Sequence, residues 1–166
     1  MKRKPKINFK PRNAEEATAL SRYNAKKMVE KRDNLKSWGQ SGWVKSKLNK
    51  KWISYRSKLE LEVIRLFESR PDLIAFYDEE KLVIPYHWKA GTRYYVPDFV
   101  LRLVPKLGAT VYVAEVKYEK EHNEPKNQAK WRAAQEWCKV RGAKFIVISE
   151  TNQNEIVNLF EGKDSV

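Results

Sequence analysis

The chain has 166 residues, of which 42% are hydrophobic and 12% aromatic, so it contains enough apolar side chains for one core of ordinary size. A single cysteine, Cys138, and two histidines, His87 and His122, exclude a disulfide framework and leave almost nothing for a zinc site. The sequence has no apolar run of about eighteen residues and no phosphate-binding glycine motif, which argues against a membrane span and a nucleotide-binding loop.

The positive charge is concentrated at the N-terminus. The formal net charge is +13, and residues 1–56 contain 17 Lys and Arg against 4 Asp and Glu, whereas residues 57–166 contain 17 of each. A basic arm on a neutral body is the distribution expected when the arm binds a polyanion, and nucleic acid is the first candidate. The alternative is that the arm aids solubility and that its tryptophans dock it on the core.

The first elements along the chain belong to this basic segment. Residues 1–12 are expected to be extended, and a capping pattern that starts at Asn13 predicts a helix over Ala14–Arg32. Its apolar stripe is thin. Glycines and serines predict a loop over Ser37–Trp43, followed by a further basic stretch. We therefore assign residues 1–53 to a basic N-terminal arm.

Residues 54–166 have the pattern of a compact α/β domain. Ser57 can cap a helix that runs to about Ser69, and Pro125 suits the first turn of a later helix that ends near Gly142. Between and after these helices, apolar and β-branched runs predict strands and one last helix. The predicted elements are strands at Leu73–Tyr77, Lys81–Tyr86, Arg93–Val104, Thr110–Tyr118 and Lys144–Ser149, with helices at Pro125–Arg141 and Asn152–Phe160.

Three acids stand in surroundings that otherwise look buried. Asp98 interrupts an apolar strand, and Glu115 and Lys117 share one face of the predicted central strand. A hairpin that turns near residues 106–107 places Asp98 opposite Glu115, with their side-chain roots roughly 4.5–5.5 Å apart. Glu60 projects along the apolar side of its predicted helix. Buried acids this close need a cation between them, so we expect these side chains to converge on one.

The residue types suit one class of chemistry. Carboxylates bind hard divalent cations such as Mg²⁺, for which Mn²⁺ can substitute, and an ammonium group such as that of Lys117 stabilises the charge that develops during phosphodiester hydrolysis. Each short motif is common when taken alone. Together, on a helix and two adjoining strands, they favour a metal-dependent nuclease.

The order and spacing of these residues resemble a known superfamily. Glu60, Val96-Pro97-Asp98-Phe99 and Glu115-Val116-Lys117 are similar to the pattern of the PD-(D/E)XK nucleases. With Arg56-Ser57-Lys58-Leu59 before Glu60, the pattern more narrowly resembles TnsA-type transposon-end endonucleases and phage endonuclease I junction resolvases. The resemblance covers roughly residues 54–150.

The resemblance implies both a fold and an activity. The implied fold is a restriction-endonuclease-like core, a central mixed β-sheet flanked by helices, to which the basic helical N-terminal arm is added. The implied activity is Mg²⁺-dependent endonucleolytic cleavage of DNA that leaves a 5′-phosphate and a 3′-hydroxyl. The implied catalytic residues are Glu60, Asp98, Glu115 and Lys117, with Asp98, Glu115 and Glu60 as the metal ligands.

Basic residues in two regions are candidates for phosphate contacts. The arm and the predicted helix that starts at Pro125 both present them, although an exposed basic helix face explains the second group equally well. The predicted contacts are Lys2, Arg3, Lys4, Lys6, Arg12, Lys45, Lys47, Lys50, Lys51, Lys126, Lys130 and Arg132.

Several expectations about partners follow. The DNA is expected to be duplex or branched and to be selected by its structure or by a partner protein, since a body of this size offers little sequence readout. A homodimer and a recombination or transposition partner are both compatible with the sequence. We expect no membrane association and a cytoplasmic, nucleoid-associated location, in the host cytoplasm if the chain is viral. A non-catalytic nucleic-acid-binding or assembly protein on a nuclease fold, and a nuclease acting on RNA, stay open as alternatives.

Overall fold

The computed structural model describes residues 13–32, 41–79 and 82–163. Short 3₁₀ turns at Pro105–Leu107 and Glu119–Glu121 join some of the longer elements. In chain order these elements are α1 (Ala14–Arg32), β1 (Gly42–Lys45), β2 (Trp52–Tyr55), α2 (Lys58–Ser69), β3 (Ile74–Glu79), β4 (Ile84–Trp88), β5 (Gly91–Tyr95), β6 (Phe99–Leu103), β7 (Val111–Val116), α3 (Pro125–Val140), β8 (Lys144–Ile148) and α4 (Gln153–Phe160).

The central sheet is mixed. Its strand order is β3-β6-β7-β8, and only the β7–β8 pair is parallel. The helix α3 makes the crossover between these two parallel strands, as a parallel pair requires. Two antiparallel hairpins, β1–β2 and β4–β5, form separate two-stranded sheets. The predicted α/β class, a central mixed sheet flanked by helices as in restriction-endonuclease-like cores, is confirmed.

The register of the β6–β7 hairpin is also as predicted. Phe99 pairs with Ala114 and Leu101 with Tyr112, and the connection turns through the 3₁₀ segment that ends at Leu107. Asp98 stands immediately before β6, where its backbone N–H donates to the Ala114 carbonyl at 3.1 Å. This register carries Asp98 to the same end of the sheet as Glu115.

One predicted strand was wrong. The sequence favoured a single strand over Arg93–Val104, but the chain leaves β5 after Tyr95 and enters a different sheet at Phe99. Pro97 has no N–H to donate to a strand ladder, so the break falls where the backbone cannot continue the pairing.

The N-terminal region differs in part from the expectation. The helix over Ala14–Arg32 is confirmed, but the hairpin β1–β2 was missed, and Gly42 and Trp43, expected in a loop, lie in β1. The proposed boundary after residue 53 falls inside β2. The predicted extended segment 1–12 and the first part of the predicted loop lie outside the described residues.

The main core occupies one face of the central sheet. Helices α2 and α4 and the hairpin β1–β2 pack there, and Phe67, Tyr77 and Phe99 meet edge to face at its centre. A smaller cluster joins α3 to the hairpin β4–β5 through residues that include Tyr86 and Tyr95. Among the described residues, no helix has the length and apolar character that crossing a bilayer requires.

Candidate active site

A cavity of about 620 Å³ lies at the end of the central sheet where β7 stops, between the hairpin β4–β5 and the helices α1, α2 and α3. It collects the acids and the amine that the sequence singled out, although the chain separates them by up to 57 positions. The predicted site residues that line it are Glu60, Asp98, Glu115, Lys117, Lys126 and Lys130.

Glu60 reaches the cavity from the first turn of α2. Ser57 caps the helix, since the Glu60 N–H donates to Ser57 Oγ at 3.0 Å. The Glu60 carboxylate turns back and accepts the Arg56 N–H at 2.8 Å. This reciprocal pairing satisfies two N–H groups at the start of the helix, and it explains how an acid that is only 8% exposed is held there. Glu60 therefore shapes the cavity wall and caps the helix.

Asp98 ties the ends of two strands together. Its Oδ2 accepts the N–H of Val116 at 2.9 Å, and its own N–H donates to Ala114. Asp98 is 6% exposed, and both of these hydrogen bonds join it to the backbone of β7. The carboxylate is thereby held beside the end of β7, where Glu115 lies.

Glu115 is the least satisfied of the three acids. It is 6% exposed, and its Oε2 has no hydrogen-bond partner among the described residues. Burial, and then repulsion from Asp98, raise the pKa of Glu115 from 4.5 to about 8, and the nearby Lys130 and Lys117 offset only part of this. A carboxylate in this state favours a proton or a cation as its partner.

Arg56 is the main participant that sequence reasoning missed as a site residue. Its Nη2 donates to Asp98 Oδ1 at 2.5 Å, and its Nε lies 3.7 Å from Glu60 Oε1. Burial opposes the charge on Arg56, but Asp98 and Glu60 outweigh it and raise the pKa of the guanidinium. The sequence offered one signal for Arg56, its position just before Ser57, the cap of the helix that carries Glu60. This position does not show that Arg56 reaches Asp98, because that contact depends on the tertiary fold.

Two amines approach the acids from β7 and α3. Lys117 continues β7, where its N–H donates to Ile148, and its Nζ lies 3.9 Å from Glu121 Oε1. Lys130 extends over the ring of Tyr95, and burial lowers its pKa. Lys130 thus lines the cavity. From the sequence, a phosphate contact beside the site and an exposed basic helix face were equally favoured for this residue.

Tyr95 was not anticipated either. It is 6% exposed, and its hydroxyl is buried with no hydrogen-bond partner among the described residues. The phenol lines the cavity at the end of β5, near Glu115 and Lys130. Its hydroxyl is an additional polar group that is available to a ligand.

The other predicted phosphate contacts are dispersed. The lysines of the β1–β2 hairpin, 45, 47, 50 and 51, are exposed and do not line the cavity, and Lys51 pairs with Asp78. Arg132 is exposed on α3 and also lies outside the cavity lining. Lys2, Arg3, Lys4, Lys6 and Arg12 lie outside the described residues.

The donor set fits a hard divalent cation in part. Asp98 and Glu115 offer carboxylate oxygens at one end of the sheet, and Oε2 of Glu115 is buried without a hydrogen-bond partner among residues 13–32, 41–79 and 82–163. Within those same ranges, no three Asp, Glu, His or Cys side chains come together closely enough to form a metal site unaided. Mg²⁺ keeps several of its waters and uses one or two carboxylates, so this pair suffices for it.

One comparison with known proteins bears on this geometry. Residues 70–150, just under half of the chain, match the family model described as TnsA-like endonuclease N terminal. This range includes Asp98, Glu115 and Lys117 but not Arg56 or Glu60. A comparison with curated proteins finds no match. The family match supports a nuclease of the TnsA type.

Proposed function

We propose that the chain is a Mg²⁺-dependent DNA endonuclease that hydrolyses phosphodiester bonds to leave 5′-phosphate and 3′-hydroxyl ends. The observation that carries the proposal is the convergence of Asp98, Glu115 and Lys117 on one cavity, within the residues that match a TnsA-like endonuclease model. Two buried acids and an amine are the groups that metal-assisted phosphodiester hydrolysis uses.

Each side chain has a distinct task in this proposal. Asp98 and Glu115 would hold the cation through their carboxylate oxygens, and a bound cation would supply positive charge against the negative charge that develops on the phosphate. Lys117 directs its ammonium group to the attacking water or to a phosphate oxygen. Glu60, predicted as a third ligand, holds the start of α2 and its neighbour Arg56 in place.

The cations around the cavity suit a polyanionic substrate. Lys126 and Lys130 line the cavity beside the acids, and Arg132 lies exposed on the same helix, α3. The basic residues of the first 53 positions would extend phosphate contacts along duplex or branched DNA. A homodimer or a recombination partner would supply a second cut where both strands must be cleaved.

A second candidate is a non-catalytic nucleic-acid-binding protein on the same fold. It is favoured by Arg56, whose guanidinium already pairs with Oδ1 of Asp98, one of the two proposed cation ligands. DNA binding that is indifferent to Mg²⁺, without cleavage, is its expected signature.

The test is cleavage of plasmid and four-way-junction DNA in Mg²⁺ or Mn²⁺ by the wild type, Asp98→Ala and Asp72→Ala. Asp72 is a matched control because it is also paired with an arginine but lies outside the cavity. We expect cleavage by the wild type and Asp72→Ala, none by Asp98→Ala, and products that a ligase reseals. DNA that the wild type leaves intact with either cation would overturn the nuclease proposal.

A further inference from the structure

The guanidinium of Arg56 is bound to the carboxylate of Asp98, which is one of the two proposed ligands of the cation. Asp98 Oδ2 accepts the Val116 N–H, and Oδ1 accepts the Arg56 guanidinium. A divalent cation that binds through Oδ1 therefore meets a positive charge already in contact with that atom. The two positive charges repel each other at this short range, and the low exposure of Asp98 leaves little solvent to screen the repulsion.

We propose that Arg56 is the counter-ion of Asp98 in the cation-free protein and that a divalent cation displaces it, which frees the guanidinium to bind a DNA phosphate. The inference rests on the proposed function, because it takes Asp98 as a ligand of the cation. It makes Arg56 a phosphate-binding residue whose availability depends on the metal.

The surroundings of Arg56 permit this exchange. Its side chain is 33% exposed and lines the cavity, so the guanidinium can leave Asp98 toward the opening where DNA would lie. The Glu60 carboxylate holds the Arg56 backbone N–H and lies near Nε, so the base of the side chain stays anchored while its tip moves. A guanidinium then presents a planar pair of donors that matches two phosphate oxygens.

The first measurement is Mn²⁺ binding to the DNA-free protein by electron paramagnetic resonance. Removing the competing charge in Arg56→Gln should tighten Mn²⁺ binding by roughly tenfold, whereas Arg56→Lys, which keeps the charge, should stay near the wild type. Arg70→Gln is the matched control, since Arg70 also bridges two carboxylates, Asp72 and Glu161, away from the cavity. Thermal melting in EDTA confirms that each variant is folded.

The second measurement is DNA binding by fluorescence anisotropy, in Ca²⁺ to suppress cleavage and in EDTA. Arg56→Gln should weaken binding in Ca²⁺ by about tenfold and leave it unchanged in EDTA, where Arg56 is still held by Asp98. Equal or weaker Mn²⁺ binding by Arg56→Gln overturns the displacement, and equal DNA affinity in Ca²⁺ overturns the phosphate contact. If Arg56→Gln binds Mn²⁺ more tightly than the wild type but the wild type cleaves no DNA, the proposed function is refuted and the displacement of Arg56 by the cation still stands.

Discussion

Glu68 and Glu115 are the same residue type in one small fold, yet their environments are opposite. Glu68, on α2, accepts hydrogen bonds from Ser46 Oγ at 2.6 Å, Tyr77 Oη at 2.8 Å and the Lys47 N–H at 2.9 Å. Burial alone would raise its pKa, but these donors outweigh burial and the net shift is downward. Among the described residues, Oε2 of Glu115 has no such donor, and burial raises the pKa of Glu115.

The difference separates an acid that the fold satisfies with hydrogen bonds from a buried acid with an oxygen that no donor of the described residues reaches. Glu68 uses its charge to fasten the β1–β2 connection to α2 and β3, so the fold itself satisfies it. Within the described part of the chain, Glu115 has one carboxylate oxygen without a hydrogen-bond partner beside a second acid, an arrangement that costs stability. Exchanging each acid for its amide should therefore have opposite consequences.

The largest expected effect is on cleavage. Glu115→Gln should lower the cleavage rate by about 10³-fold, because the amide cannot supply the charge that holds the cation. Glu68→Gln should stay within about threefold of the wild type, since Glu68 does not line the cavity. Rates on junction DNA under single-turnover conditions check this, and a comparable loss in both variants would contradict the assignment.

Stability should respond in the reverse order. Glu68→Gln should lower the free energy of unfolding by about 1–3 kcal/mol, because the three groups that donate hydrogen bonds to the Glu68 carboxylate would then face an uncharged amide. Glu115→Gln should leave the free energy of unfolding nearly unchanged in acid, where the folded carboxyl is protonated, and raise it near pH 8, where the substitution removes a charge that Asp98 repels. Urea unfolding in EDTA measures both, and destabilisation of Glu115→Gln as large as that of Glu68→Gln would remove the contrast.

The pH dependence of stability should also have opposite signs. The pKa of Glu68 is lowered in the folded state, so its contribution is present above its ordinary pKa and is lost as the pH falls through the lowered value. The pKa of Glu115 is raised to about 8, so the wild type loses stability as the pH rises from about 4.5 toward 8. Glu115→Gln lacks this titration.

The difference in the free energy of unfolding between Glu115→Gln and the wild type should thus grow from about pH 5 to about pH 8 in EDTA. The corresponding difference for Glu68→Gln should become smaller in acid. Urea unfolding at several pH values provides the measurement. A difference for Glu115→Gln that is constant across this range would mean that Glu115 is charged in the fold throughout.

The acids themselves were predictable from the sequence, and their partners were not. Asp98 and Glu115 stood out because each interrupts a run of apolar residues, and period-two alternation with a single hairpin register was enough to place them together. Arg56 and Tyr95 carry no such local signal. Their roles arise where the end of β2, the end of β5 and the start of β6 approach one another, and that approach is a tertiary property.

The errors in the fold have a similar origin. The strand over Arg93–Val104 looked continuous because its side chains favour strands, and the sheet change at Pro97 depends on which partner each half finds. The β1–β2 hairpin was missed because lysines dominate its sequence, although Ile53 is fully buried in the main core. The amino-acid composition of this segment reflects the exposed face of the hairpin, and it gives no sign that Ile53 packs into the core.

The smallest expected effect compares two tyrosine hydroxyls, one near each acid. Tyr77→Phe removes a hydroxyl that donates to Glu68, so it should cost about 0.5–1.5 kcal/mol of unfolding free energy. Tyr95→Phe removes a buried hydroxyl that has no hydrogen-bond partner within the described part of the chain, so it should change stability by less than about 0.5 kcal/mol, or stabilise. Both substitutions delete one oxygen and leave the ring packed, which makes urea unfolding in EDTA a fair measure of each. If Tyr95→Phe costs as much as Tyr77→Phe, the hydroxyl at Tyr95 is satisfied in solution, and the cavity around Glu115 is not the under-bonded site that a ligand would complete.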